Sequence, residues 1–287
     1  MKIDGTTKLV GVFGDPVSHT ASPAMHNAAF TALKMNWKYL PFHVAAADLQ
    51  SALNGIRSLN LVGVNLTVPH KVTAFEFMDE VDPEARQLGA INTVLVENGR
   101  LLGYNTDGYG FARAIQEEFN LSLQGRSVLV LGAGGAGRSI AVKCVHEGAQ
   151  QVWVANRTAS KADAILQAIG NAGPVEAIPL TNAAIRSIIS RVDLMVNATS
   201  VGLRPGDSLG LEPALFTSKL HVYDTIYRPA ETDLLKIAHT ADAKCANGLN
   251  MLLYQGARSF EIWTKDKKAP LAKMRQALKT AVYGAPQ

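Results

Sequence analysis

Four consecutive apolar residues, Val128-Leu129-Val130-Leu131, run directly into Gly132-Ala133-Gly134-Gly135-Ala136-Gly137, and a helical pattern from Arg138 to Val145 follows at once. An unbroken apolar strand needs helices over both of its faces, so this segment belongs to a parallel sheet in a layered α/β structure. Gly132, Gly134 and Gly137 satisfy G-x-G-x-x-G. With 24 glycines in the chain the spacing alone would carry little weight. A strand before it and a helix after it are the context that a dinucleotide-binding turn requires. The glycines permit a tight turn and close backbone approach, and the helix start offers unpaired N–H groups and partial positive charge to a pyrophosphate. Gly132, Ala133, Gly134, Gly135 and Ala136 are therefore the expected phosphate cradle. The plainer reading is a strand-to-helix turn that holds no ligand.

The end of the next strand selects the nucleotide. An NAD site offers a carboxylate to the ribose hydroxyls about 20 residues beyond the loop. Here that strand ends in Asn156-Arg157-Thr158, with Lys161 following. A carboxylate would repel a 2′-phosphate, whereas Arg157 can fork two hydrogen bonds to its oxygens and Lys161 adds charge. NADP is the expected cofactor. As a merely exposed helix start, Arg157 and Lys161 would oppose the macrodipole for no return.

The 287 residues, 47% apolar and 18% charged, suffice for about two ordinary domains and argue against disorder. Two cysteines, Cys144 and Cys245, cannot staple a small fold and are expected as buried thiols in a reducing compartment. Asp4 near the start, with no long apolar segment behind it, does not suit a secretory signal. No window reaches the roughly 18 to 20 apolar residues of a membrane span. A cytoplasmic protein with no membrane partner is expected, as monomer or homodimer. The excess of 28 basic over 24 acidic side chains is too dilute for nucleic acid, although it suits a small anionic ligand. The run Lys265-Asp266-Lys267-Lys268 reads as a solvated loop.

Short β-rich runs alternate with helical patterns along the chain. Leu9 to Phe13, Trp37 to Val44 and Leu61 to Leu66 read as the first three strands. One helix opens near Ser22-Pro23 with Ser22 as its cap, and an amphipathic helix spans Asp48 to Leu59. Ile91 to Val96 and Leu101 to Tyr104 flank Asn98-Gly99, a type I′ hairpin signal. Gln151 to Ala155, Asp193 to Asn197 and Leu220 to Asp224 are further strands with helical stretches between them. Helices follow from Gly248 through Trp263 and over Leu271 to Val282, the last docked by its Leu271, Met274, Leu278 and Val282 stripe. The expected fold class is α/β with two domains. Residues 1–107 plus 252–287 make an N-terminal substrate-binding and catalytic α/β domain with a mixed sheet, to which the C-terminal helices return. Residues 108–251 make a Rossmann-type, doubly wound NADP-binding domain.

The first half carries polar residues where a bare scaffold would not need them. Asn65-Leu66-Thr67-Val68-Pro69-His70-Lys71 puts Thr67 and Lys71 at a strand end, where open α/β sheets bind ligands. Lysine can give, take or neighbour a proton at a carbonyl oxygen. Taken alone, Lys71 also reads as a solvated helix-start residue, and Asp107 as an N-cap. Asn92 and Asn105-Thr106-Asp107 add an amide and a carboxylate at comparable positions. His26 and His70 lack a second ligand at zinc spacing, so no metal is expected. Tyr104, Tyr109, Trp153 and Trp263 read as core aromatics.

Together these segments resemble the shikimate dehydrogenase family, with quinate/shikimate dehydrogenases as near relatives, from Gly11 to Trp263. Thr20-Ala21-Ser22-Pro23 resembles the family's Ser-x-Ser-Pro segment, and Asn65 to Lys71 its Asn-x-Thr-x-Pro-x-Lys segment. Gly89 to Thr93, Gly103 to Gly108, Asp224 to Pro229 and Asn247 to Ala257 are similar to further family segments. The resemblance implies NADP-dependent, reversible reduction of 3-dehydroshikimate to shikimate, in the pathway to chorismate and the aromatic amino acids. It implies that Lys71 and Asp107 are catalytic. It implies that Thr20, Ser22, Thr67, Asn92, Asp107, Tyr227 and Gln255 bind a small anionic cyclohexene carboxylate. Cofactor contacts are implied for Asn156, Arg157, Thr158, Lys161, Thr225 and Gly248.

Three positions depart from the family pattern. Thr20 stands for the usual first serine, keeping the hydroxyl while adding a methyl group and stiffening χ1. Asn247 replaces an aspartate, and Lys161 a frequent arginine. Quinate or an aminated shikimate as substrate, and a non-catalytic NADP-binding regulatory protein, are the alternative readings.

Overall fold

The computed structural model describes residues 3–204, 206–265 and 267–284, so Asp266 of the basic run and the first two residues lie outside the described residues. The chain divides into two compact units, Met1–Thr106 with Leu252–Gln287, and Asp107–Met251. Both are α/β.

The first unit contains β1 (Lys8–Gly14), α1 (Ser22–Ala32), β2 (Trp37–His43), α2 (Leu49–Ser58), β3 (Gly63–Leu66), α3 (His70–Thr73), β4 (Glu80–Val81), α4 (Pro83–Leu88), β5 (Thr93–Glu97) and β6 (Arg100–Tyr104). Its sheet runs β2-β1-β3-β5-β6-β4. β1 pairs in parallel with β2 and β3, whereas β5 is antiparallel to both β3 and β6, making the sheet mixed. Asn98 and Gly99 both take positive φ, 51° and 75°, as the β5–β6 turn requires. Leu49, Leu53 and Ile56, spaced at helical intervals on α2, are buried against Phe13, Val64 and Leu66. Each such side chain contributes about 1.5–3 kcal/mol on leaving water.

One expectation here needs correcting. Ser22 does not cap α1 but is its first residue, and the preceding Ala21 has no side-chain oxygen to offer. The Thr20 hydroxyl instead accepts the Ser22 N–H at 3.3 Å, serving one of the helix's orphan donors.

The second unit follows with α5 (Asp107–Phe119), β7 (Ser127–Leu131), α6 (Gly135–His146), β8 (Gln151–Asn156), α7 (Ala159–Ile169), β9 (Val175–Pro179), α8 (Asn182–Arg186), β10 (Leu194–Asn197), β11 (His221–Asp224), α9 (Asp233–Thr240) and β12 (Lys244–Asn247). Its sheet order, β12-β11-β10-β7-β8-β9, is parallel throughout, the doubly wound arrangement. All five residues of β7 are buried. The edge strands β9 and β12 lie in stretches that read as helical or irregular. β9 ends in Pro179, which an edge tolerates, and Lys244-Cys245-Ala246-Asn247 lacks any β-branched residue. Cys144 is buried, but Cys245 on this edge is only half-buried, against expectation. Likewise Trp153 and Trp263 are core, while Tyr104 and Tyr109 are half-buried.

The chain then runs through α10 (Leu249–Trp263) and α11 (Leu271–Tyr283). Met274, Leu278 and Val282 are buried where α11 packs on α1, while Leu271 at its start is half-buried.

Candidate active site

Backbone hydrogen bonds bring the first unit's polar residues to one end of its sheet. Thr67 follows β3, and its N–H donates to Phe13 O at 3.0 Å. Leu66 N–H donates to Asn92 O at 2.9 Å, and Ile91 N–H to Lys71 O at 2.7 Å. The backbone segments of Thr67, Lys71 and Asn92 are thus stitched together beside the ends of β1 and β3. Thr20, Thr67, Lys71 and Gln255 are half-buried, and Ser22 and Asn92 are buried.

The Asn92 amide has one permitted orientation. A backbone N–H can only donate, so the 2.8 Å bond from Thr106 N–H fixes Oδ1 inward. Nδ2 then donates to Thr106 Oγ1 at 2.9 Å and reaches Gln255 Oε1 at 3.4 Å. Gln255 Nε2 donates to Leu252 O at 2.9 Å, within its own helix. Asn92 and Gln255 are therefore neighbours, joined across more than 160 positions of sequence.

Residues given no role in the sequence reading complete this region. Tyr39 OH donates to Asn65 Oδ1 at 2.8 Å, and the Ser22 hydroxyl lies beside the same phenol. Asn65 Nδ2 lies 3.0–3.1 Å from three acceptors, Asn92 O, Thr93 Oγ1 and Ser259 Oγ, and shares its two protons among them. A polar residue inside an apolar strand, as Asn65 is, was the available signal. Ser259 sits one helical turn beyond Gln255.

His26 is fully buried and stacks flat on Tyr39, with ring centroids 4.4 Å apart. Burial pushes its imidazole down to about 3. His70 Nε2 meets Val44 O at 2.8 Å. Among the described residues no group of three or more His, Cys, Asp or Glu side chains could hold a metal ion.

In the second unit β7 delivers the glycine loop. Gly132 takes φ +103°, and a Cβ on Gly137 would lie 2.0 Å from Gly132 O, so both positions demand glycine. A Cβ on Gly134 or Gly135 would meet nothing within 4 Å. The backbone at the start of α6 therefore faces open space, and a helix start of this kind suits an anion such as a pyrophosphate. Ala133 of the loop is half-buried, as is Ala136 in the first turn of α6. Asn156 Oδ1 accepts the Ala133 N–H at 3.2 Å, and its Nδ2 donates to Thr158 O at 2.8 Å. Arg157, Thr158 and Lys161 are exposed at the start of α7, whose first turn contains no acidic residue.

At the end of β11 the buried Asp224 accepts from Thr232 Oγ1 at 2.6 Å, Asn197 Nδ2 at 3.0 Å and Ile226 N–H at 3.0 Å. Burial raises its carboxyl, and these three bonds oppose the rise. Thr225 and Tyr227 beside it are half-buried. A Cβ on Gly248 would lie 1.9 Å from Thr225 O, so Gly248 packs directly on that backbone. Asp107 is buried and is the first residue of α5, not a cap preceding it.

Three family models match the chain: the shikimate dehydrogenase substrate-binding domain over residues 12–94, shikimate/quinate 5-dehydrogenase over 113–203, and the shikimate 5′-dehydrogenase C-terminal domain over 248–279. The shikimate dehydrogenase (NADP(+)) of Desulforamulus reducens is 44% identical over 281 residues, 96% of each chain. The chain belongs to the shikimate dehydrogenase family. Among solved members, that from Listeria monocytogenes, in complex with shikimate and NAD, has 33% identity and a TM-score of 0.91, covering 97% of this chain and 98% of its own. The Thermus thermophilus shikimate 5-dehydrogenase, in complex with NADP(H) and shikimate, has 38% identity and a TM-score of 0.85, covering 96% and 99%. One departure from the family pattern has a structural account. Asn247 Oδ1 accepts the Leu249 N–H at 3.1 Å, as an aspartate would, while its Nδ2 also donates to Ala230 O at 2.8 Å.

Proposed function

We propose that this family member is an NADP-dependent dehydrogenase that interconverts 3-dehydroshikimate and shikimate. The observation that carries the reading is that the backbone segments of Thr67, Lys71 and Asn92 are stitched together beside the β1 and β3 ends, with Gln255 bonded to Asn92. Thr20 and Ser22 take the substrate carboxylate, and Thr67, Asn92, Gln255 and Tyr227 take ring hydroxyls or lie beside them. A carboxylate with several ring hydroxyls needs this inventory: one anion anchor and several hydrogen-bond partners.

Gly132 to Ala136 hold the cofactor's pyrophosphate. Asn156, Arg157, Thr158 and Lys161 hold its 2′-phosphate side, and Thr225 and Gly248 lie toward its nicotinamide. When bound, NADPH supplies the hydride that adds to the ketone carbon. Lys71 delivers the proton to the ketone oxygen, so that one C=O becomes CH–OH, and in the reverse direction it receives that proton. Asp107 holds both the ammonium and the reacting hydroxyl. Residues 1–107 with 252–287 serve the substrate, and 108–251 the cofactor.

No described helix is long and apolar enough to cross a membrane. We place the enzyme in the cytoplasm, acting on a small anionic cyclohexene carboxylate as monomer or homodimer. Quinate is the second reading, because Thr20 brings a methyl group to the carboxylate anchor.

Nicotinamide absorbance with shikimate and quinate, each paired with NADP and NAD, tests the proposal. Turnover should be fastest with shikimate and NADP. Failure to reduce NADP with any cyclohexane or cyclohexene carboxylate would overturn it in favour of a regulatory protein. Lys71→Ala should lose roughly 10²-fold or more in kcat, the usual scale for an acid/base group, and retain NADP binding.

A further inference from the structure

Five buried polar side chains meet behind the proposed ring-hydroxyl contacts: Asn65, Asn92, Thr93, Thr106 and Ser259. The two amides among them have fixed orientations. The Asn92 backbone carbonyl can only accept, so Asn65 must turn Nδ2 toward it and Oδ1 toward Tyr39. The Thr93 hydroxyl donates its one proton to Asn92 Oδ1 at 2.9 Å. Its 2.8 Å contact with Ser259 Oγ is one that can take the single Ser259 proton, for which the Gln255 carbonyl competes. Ser259 Oγ is also 3.0 Å from Gln255 O and 3.3 Å from Thr106 Oγ1, and it accepts from Asn65 Nδ2 at 3.0 Å.

A helical serine that only satisfied itself would bond the carbonyl four residues back and need nothing more. Ser259 is within reach of that carbonyl, but its one proton is shared with Thr93 Oγ1, and its oxygen meets groups from three other segments. It ties the turn of α10 that carries Gln255 to the Thr93 and Thr106 hydroxyls that fix the Asn92 amide. We infer that Ser259 is a positioning residue, which sets the spacing and orientation of Asn92 and Gln255 toward the substrate's ring hydroxyls without touching the substrate. This rests on the reading of those two amides as substrate contacts.

Ser259→Ala tests it with little risk to the fold. In that variant Asn65 keeps the Asn92 carbonyl and Thr93, and Thr93 keeps Asn92 Oδ1, so no buried partner is stranded. The KM for shikimate should rise about threefold to tenfold, the range of one neutral hydrogen bond. The kcat should stay within about twofold, and the KM for NADP should not move, because uniform substrate binding is what is lost. Thr93→Val, which removes the linking hydroxyl at constant shape, should reproduce that pattern.

In a double-mutant cycle, Ser259→Ala and Gln255→Ala should raise KM together by less than the product of their separate factors. An unchanged KM in Ser259→Ala, or factors that multiply independently, overturns the positioning role while Gln255→Ala still raises KM. If Gln255→Ala itself leaves the shikimate KM unaltered, the substrate reading has failed, and the positioning role falls with it.

Discussion

Asn156 Oδ1 accepts the backbone N–H of Ala133 at 3.2 Å, so the last residue of β8 braces the glycine loop that follows β7. With Nδ2 on Thr158 O, one side chain aligns the proposed pyrophosphate cradle with the proposed 2′-phosphate clamp. Asn156→Asp should keep the acceptor, lose the donor and bring negative charge to the clamp. The KM for NADP should rise tenfold or more on the scale of about 1.4 kcal/mol per decade, while that for NAD changes little. Initial rates with each nucleotide at saturating shikimate check this. An equal loss with both would mean that the loop, not the phosphate, had been disturbed.

Arg157 and Lys161 are exposed, so in the proposed clamp they would act on a doubly charged ligand rather than on folding. Arg157→Ala should raise the KM for NADP by about tenfold or more, and Lys161→Ala by less, since only the guanidinium makes a bidentate fork. Neither should shift the thermal midpoint by more than a degree or two. Raising the ionic strength should weaken wild-type NADP affinity and compress the difference between wild type and variants. A KM that ignores both substitutions would remove the clamp.

Where the chain follows a simple period or carries special turn chemistry, its structure could be read directly. The buried run of β7, its glycine loop, the Asn98-Gly99 hairpin and the α11 stripe are of this kind, because each is decided by residues close in sequence. β9 and β12 escaped because sheet edges tolerate proline and weak β formers, and only pairing with β8 and β11 makes them strands. The hydroxyl cluster around Asn92 was illegible for a different reason. Thr93, Thr106 and Ser259 are ordinary residue types, and their meaning depends on contacts spanning up to 194 positions. The Asp107 carboxyl before a helical pattern looked like a cap because the helix start could not be fixed to within one residue.

Asp224 is buried with no cation among its three bonded partners, and its shortest bond, from Thr232 at 2.6 Å, opposes the desolvation that raises its carboxyl. Thr232→Val keeps the shape and removes that donor. The cost should be about 1–3 kcal/mol, the penalty of leaving a buried acceptor short of a partner. Urea unfolding at pH 7 would register it as a lower midpoint at constant slope. Because the carboxyl should then rise further, the deficit should shrink as the solution is made acidic and the group protonates. A deficit independent of pH would place its origin in packing instead.

His26 supplies a second pH dependence, of opposite sign. Neither ring nitrogen has a hydrogen-bond partner among the described residues, and burial alone lowers the imidazole to about 3 against 6.5 in an unfolded chain. Between those values the unfolded state binds a proton that the folded state refuses. Stability is therefore undiminished above pH 6.5 and is lost as pH falls toward 3, at about 1.4 kcal/mol per pH unit once the unfolded imidazole is charged. The flat stack on Tyr39 identifies the ring as a packing element, so His26→Leu should cost stability at pH 7 through lost ring contact. It should also remove this proton linkage. Measured by urea unfolding, the wild type should lose more stability than the variant between pH 7 and pH 5, by about 2 kcal/mol. Parallel losses in the two proteins would show that His26 takes up its proton within the fold.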